Sequence, residues 1–180
     1  MDNGNYSAKC KEFFQKMTKV KMIHFFHIGF LSLLINMGFG KKEYHWEHYP
    51  DGGLKAQGWE EHGFREGYWK FYFPNGKLKE MGHFQMGKKS GYWYFYDQHG
   101  RLDSEGHYIK GKKAQWWVFY DEKERINHKC PFNKGIKNGY CLKYKGGKLE
   151  SVVKYHNGTS LKQWHDLQSF KEDNDLSELR

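Results

Sequence analysis

YWKFYFPNGKLKEMGHFQMGKKSG, residues 68–91, decides the fold, because the chain goes on to repeat it. Residues 92–115 read YWYFYDQHGRLDSEGHYIKGKKAQ and residues 116–139 read WWVFYDEKERINHKCPFNKGIKNG. Residues 140–163 read YCLKYKGGKLESVVKYHNGTSLKQ. Tyr68, Tyr92, Trp116 and Tyr140 thus open successive blocks of about 24 residues. A weaker copy begins near Tyr44 and carries DGGLKAQGW, which puts about five units in the array. Each unit opens with an aromatic run such as Tyr92–Tyr96, whose bulky rings suit a pleated strand. A Gly-containing turn follows: Asn75-Gly76, His99-Gly100 or Gly146-Gly147. Asn-Gly between apolar runs predicts a two-residue hairpin in which both central residues take positive φ. A second strand comes next, for example Leu102–Tyr108, and a second turn, Met86–Lys89 or Lys110–Lys113, leads to the next aromatic run.

Every connection is short, so neighbouring strands must run antiparallel. The expected fold is all-β: a single-layer antiparallel meander, or solenoid, that grows by one hairpin per repeat. Side chains two residues apart share a face. Tyr92, Tyr94 and Tyr96 therefore lie on one face and Trp93 and Phe95 on the other. Gly58, Gly82 and Gly106 fall inside the second strand, where Gly is weakening unless something needs the space. Trp69, Trp93 and Trp117 are the expected occupants. The last full unit has Cys141 at the Trp position and Lys154 at the Gly position, a joint loss that fits such packing.

Three domains are expected: residues 1–40, the array at 41–163, and a tail at 164–180. Residues 22–40, MIHFFHIGFLSLLINMGFG, follow Lys16, Lys19 and Lys21, and Gly38 and Gly40 supply small residues before Lys41. This reads as a signal peptide, with a membrane anchor as the second reading. The expected location is the cell envelope, with a cytoplasmic one as the alternative. In the tail, Trp164, Leu167 and Phe170 have helical spacing and predict a short helix capping the array, with a further turn at 175–180 capped by Asp173, Asn174 or Asp175.

The chain carries 30 basic and 21 acidic residues, a formal charge of +9. We read the lysines chiefly as turn and edge decoration that guards a sheet against aggregation. Nucleic acid is not expected as a partner, because the rings recur at structural positions. The free sheet edges leave an edge-to-edge homodimer open. No nucleotide-binding or hydrolase motif occurs, and His45-Trp-Glu-His48 lacks the HExxH order. His83 and His107 recur at the repeat period and suit stacking better than metal, so no cofactor, metal or catalytic residue is expected. Cys130 and Cys141 flank one turn and could face each other as a disulfide in an exported protein.

The units GHFQMGKKSGYWYFY and GHYIKGKKAQWWVFY, each joined to a segment like PNGKLKEMG, resemble variant MORN repeats of the bacterial type. The resemblance covers about residues 44–163 and implies an extended antiparallel sheet with a binding or scaffolding role. Some members of that type are regarded as antitoxins of toxin–antitoxin pairs, which gives the alternative function: a cytoplasmic protein that neutralises a toxin. The first expectation is a non-enzymatic scaffold for protein–protein, or membrane-surface, contact. Aromatic residues are frequent interface anchors, so the exposed members of Tyr68, Trp69, Tyr92, Trp93, Trp116 and Trp117 form the candidate surface.

Overall fold

The computed structural model describes residues 41–174. The segment 1–40 and the turn expected at 175–180 lie outside the described residues. Within them one antiparallel sheet holds twelve strands: β1 (Glu43–His48), β2 (Leu54–Glu61), β3 (Phe64–Tyr72), β4 (Leu78–Gln85), β5 (Lys88–Tyr96), β6 (Leu102–Ile109), β7 (Lys112–Tyr120), β8 (Ile126–Asn133), β9 (Ile136–Lys137), β10 (Gly139–Lys145), β11 (Lys148–His156) and β12 (Thr159–Trp164). Each strand lies beside its neighbour in the chain, apart from the short β9, which pairs with β8 alongside β10. This is the all-β meander that the repeats predict.

Apart from the turn between β10 and β11, the two kinds of turn sit on opposite rims of the sheet, and their chemistry is exchanged relative to the Asn-Gly expectation. At Phe73–Lys77, only Gly76 takes positive φ (78°), and the Gly76 N–H donates to the Phe73 carbonyl at 2.9 Å. That is a three-residue loop with Gly in the left-handed position, not a two-residue turn. Asn75 instead accepts the Lys77 N–H at 3.1 Å through its side chain. The two-residue turns with both central φ positive lie on the other rim, at Met86-Gly87 (48° and 72°), Lys110-Gly111 (50° and 80°) and Lys134-Gly135 (50° and 91°). Gly146-Gly147, on the rim of the three-residue loops, is also a two-residue turn with both φ positive (60° and 81°), as expected. It makes that hairpin one residue shorter than its counterparts, so Val153, not Lys154, lies opposite Cys141.

The core is a row that crosses the sheet at right angles to the strands. Gly58 pairs with Trp69, Trp69 with Gly82, Gly82 with Trp93, Trp93 with Gly106, Gly106 with Trp117, and Trp117 with Cys130. Each indole lies flat over the Gly of the preceding strand. A Cβ on Gly82 would stand 2.4 Å from Cδ2 of Trp93, so no side chain fits there. A bulge follows each Gly: the register shifts between Gly82 and His83 and between Gly106 and His107. Such a shift leaves strand carbonyls without a ladder partner. The indole N–H of Trp69, Trp93 and Trp117 donates to the carbonyl of Trp59, His83 and His107 at 2.7, 3.0 and 3.1 Å. One side chain thus fills the space over Gly and satisfies the bulge.

In the fourth unit this device is replaced. Cys130 stands at the Gly position and Cys141 at the Trp position, and the two are joined as a disulfide with Cα atoms 4.2 Å apart. Pro131 occupies the place of His107 and has no N–H for the ladder. Opposite it, Asn138 keeps one bond, its N–H to the Pro131 carbonyl at 3.0 Å. The aromatic strand, continuous over nine residues in β5 and β7, therefore breaks into β9 and β10 around Asn138.

The terminal helix α1 (Leu167–Asp173) begins later than Trp164, which is the last residue of β12. Its N-cap is Asp166, which accepts the Ser169 N–H at 2.7 Å. Asp173 instead accepts from the Trp164 indole at 2.6 Å, and Asn174 accepts from the Tyr140 hydroxyl at 2.5 Å. Phe170 packs edge-on against Tyr140 and Trp164, at 5.5 and 5.3 Å. The helix is the short C-terminal cap that the spacing predicts, and it covers a face of the sheet at β10–β12.

Candidate functional site

Three of the six aromatic residues expected on the interaction surface are core. Trp69, Trp93 and Trp117 are 1%, 0% and 0% exposed, because each is spent on its Gly and its bulge carbonyl. Tyr68 and Trp116 remain exposed, at 38% and 49%, while Tyr92 is half-buried.

What the face of the sheet presents over those indoles is cationic. Arg65 lies 4.7 Å from the Trp69 ring and also covers Phe71 and Phe84. Lys89 lies 4.1 Å from Trp93 and covers Phe95 and Tyr108. Lys113 lies 3.8 Å from Trp117 and covers Phe119 and Phe132. Lys137, the next at the same period, lies 5.2 Å from Tyr155. A cation over an aromatic face is held by the ring quadrupole, so these positions roof the core as well as charge it. The sequence signal was present: a basic residue stands four positions before each of these tryptophans and recurs at the repeat period.

Neutralisation of this row fades along the array. Arg65 bonds Glu47 at 2.6 Å and Lys89 bonds Glu80 at 2.6 Å. The position of Glu80 is held by Ser104 and then by His128 in the next two units. Among the described residues, neither Lys113 nor Lys137 has a carboxylate within ion-pair distance. Burial holds the ammonium groups of Lys89 and Lys113 below their ordinary pKa. Glu80 opposes this at Lys89, Asp103 opposes it at Lys113, and neighbouring cations add to it at both. His128 is likewise pushed down, by burial and then by Lys137, Lys143 and Lys113.

The opposite face carries the tyrosines. His83 stands edge-on to Tyr68 and His107 edge-on to Tyr92, with centroids 5.1 and 4.8 Å apart. Tyr120 donates to Glu105 at 2.7 Å. Burial, then Glu105 and Tyr94, push the Tyr92 phenol up to about 12. Farther along this face, Trp116, Tyr140, Leu142, Val152, Leu167 and Phe170 line a half-open apolar groove of about 760 Å³. His45 of the His45–His48 stretch lies on β1 and meets Glu60 at 3.3 Å. Among the described residues, no three His, Cys, Asp or Glu side chains gather as a metal site would need, and no helix is long and apolar enough to cross a membrane.

No family model matches the chain, and no curated protein matches it. Among solved structures, one similar chain belongs to a crystal structure of accessory secretory protein 1,2 and 3 in Streptococcus pneumoniae. It has a TM-score of 0.32 and 10% identity, over 72% of this chain and 23% of that one. The chain thus spans about a quarter of that structure's length.

Proposed function

We propose that this protein is a non-enzymatic repeat scaffold that works by protein–protein contact in the cell envelope, either exported or membrane-attached. The observation that carries the reading is repetition: the turns at Met86-Gly87, Lys110-Gly111 and Lys134-Gly135 and the ring-covering cations Arg65, Lys89, Lys113 and Lys137 recur one period apart. A stack of units that contact only their neighbours produces an extended binding surface. Tyr120 is bonded to Glu105 and Lys89 to Glu80, which supports a structural role for these polar groups. The MORN-like resemblance of residues 44–163 points the same way. The compartment is supported by the Cys130–Cys141 bridge, since such bonds persist in oxidising surroundings, and by the basic and apolar reading of residues 17–40.

The test is intact mass and cell fractionation of the protein expressed from its own gene. An envelope species beginning at Lys41, or a full-length membrane species, with Cys130 and Cys141 oxidised is the expected result. A full-length cytoplasmic species with free thiols would overturn the envelope reading and favour the toxin-neutralising alternative.

A further inference from the structure

Along the middle of the array the antiparallel meander separates its turns by type, and lysines concentrate on one rim there, beside the Glu66 carboxylate that accepts the Met86 N–H at 2.8 Å. One rim holds the three-residue loops, together with the shorter Gly146-Gly147 turn, and there Asp97 pairs with Arg101 at 2.7 Å and Asp121 with Arg125 at 2.8 Å. The other rim holds the remaining two-residue turns. Its three central segments, QMGKK at 85–89, IKGKK at 109–113 and NKGIK at 133–137, contain seven lysines and no acid. These turns are stacked on one another by backbone bonds. The Gly111 N–H donates to the Lys89 carbonyl at 2.9 Å and the Gly135 N–H to the Lys113 carbonyl at 2.8 Å. The lysines therefore stand in fixed rows, repeated every second strand, about 10 Å apart.

The same rim exposes large apolar side chains among the charges: Phe64, Met86, Ile109 and Ile136, with Met86 74% exposed. Charge and exposed apolar groups interleaved along one line make a surface with two complementary requirements.

We propose that this rim, with the Lys113–Lys137 end of the cation row behind it, binds an acidic amphipathic segment of a partner protein laid along the stacked turns. Complementary charge steers such a segment and sets its orientation, and its apolar side chains cover Met86, Ile109 and Ile136. A polyphosphate or a nucleic acid backbone answers the lysines but leaves the apolar groups uncovered. A flat bilayer meeting the rim edge-on touches the turn tips, but does not reach Lys113 and Lys137, which lie back over rings on one face of the sheet. Among the described residues, neither of those two cations has a carboxylate within ion-pair distance, so a carboxylate brought by the segment completes them.

This inference rests on the scaffold reading and names the surface and partner class. Its test uses purified full-length protein, so its failure leaves the compartment result untouched. The probe is a fluorescein-labelled synthetic peptide alternating Glu and Leu, followed by anisotropy. The controls are polyglutamate and phosphatidylglycerol vesicles. The K112E/K134E variant changes exposed turn positions outside the ring contacts, and its thermal melt should match the wild type while peptide affinity falls roughly tenfold or more. M86S/I109S should weaken the peptide several-fold at an unchanged melt, and polyglutamate should bind more weakly than the peptide. The proposal is overturned if K112E/K134E binds the peptide as the wild type does. It is equally overturned if polyglutamate matches the peptide and M86S/I109S has no effect, or if vesicles capture the protein and the peptide does not.

Discussion

Two regions of one sheet solve the same packing problem differently. From β2 to β7, each repeat lays an indole over a Gly, caps a bulge carbonyl with the indole N–H and roofs the ring with a cation. From β8 to β11 the Gly, the Trp and the bulge residue change together to Cys130, Cys141 and Pro131, and a covalent bond takes the place of the ring. The coordinated change shows that the unit of design is the set of three positions and not any single residue. It also separates two sources of stability. The first region is held by burial, which acts in the folded state. The second is held in part by a constraint on the unfolded chain.

The largest effect should come from breaking the first solution. Trp93→Ala removes a fully buried indole and should cost about 3–5 kcal/mol, a fall in Tm of roughly 2–4 °C for each of those kcal/mol. Gly82→Ala tests the other half: its Cβ would lie 2.4 Å from a ring atom of Trp93, and overpacking of this kind costs about 1–3 kcal/mol or more. Thermal unfolding checks both. A Trp93→Ala protein that melts with the wild type would mean that the row is not the core.

The second solution should yield less. Reduction, or Cys130→Ser with Cys141→Ser, opens a bridge that spans 11 residues in sequence and should cost about 2–4 kcal/mol. Urea unfolding with and without reductant measures it. A loss larger than that of Trp93→Ala would reverse the ranking of the two regions.

Alkali should strain the first region next. The phenols of Tyr68, Tyr92, Tyr96, Tyr108 and Tyr120, all on β3 to β7, are raised, chiefly by burial, with Tyr92 and Tyr108 at about 12. A raised folded pKa stabilises fully below the unfolded value near 10 and is lost as pH climbs towards 12. Lys89 and Lys113, with lowered pKa, act in the opposite sense as they discharge, but they are two against five. Net stability should therefore fall from about pH 10 upward, seen as a declining Tm alongside phenolate absorbance. A flat Tm from pH 9 to 12 would contradict the assignment.

The strands, their order and the Gly–Trp packing were legible because rings at alternate positions and Gly at a fixed period leave few other arrangements. Turn geometry was not, because Asn75-Gly76 suits either a two-residue turn or the end of a three-residue loop, and only the pairing of Phe73 with Lys77 separates them. The surface was hidden for a related reason. A single sheet has no second layer to bury its tryptophans, and the cover is local: Lys89 above, Phe95 beside and Phe84 across from Trp93. The misplacement of Lys154 opposite Cys141 came from holding the repeat length constant through the shorter Gly146-Gly147 hairpin.

The sharpest test of the comparison has the smallest expected change in stability. Cys130→Gly, Pro131→His and Cys141→Trp together rebuild the first solution in the second region. Lys137 already stands four positions before Cys141, as Lys113 does before Trp117, and Phe132 and Tyr155 flank the site. Loss of the bridge should be offset by the buried indole, leaving the net change within about 2 kcal/mol. The Pro131→His change restores an N–H opposite Asn138, so hydrogen exchange should slow there as β9 and β10 become one strand. Reductant should no longer affect the melt. If the triple variant unfolds while C130S/C141S remains folded, the pocket at Val153 is too small for an indole, and the disulfide is a solution imposed by local volume instead of an exchangeable one.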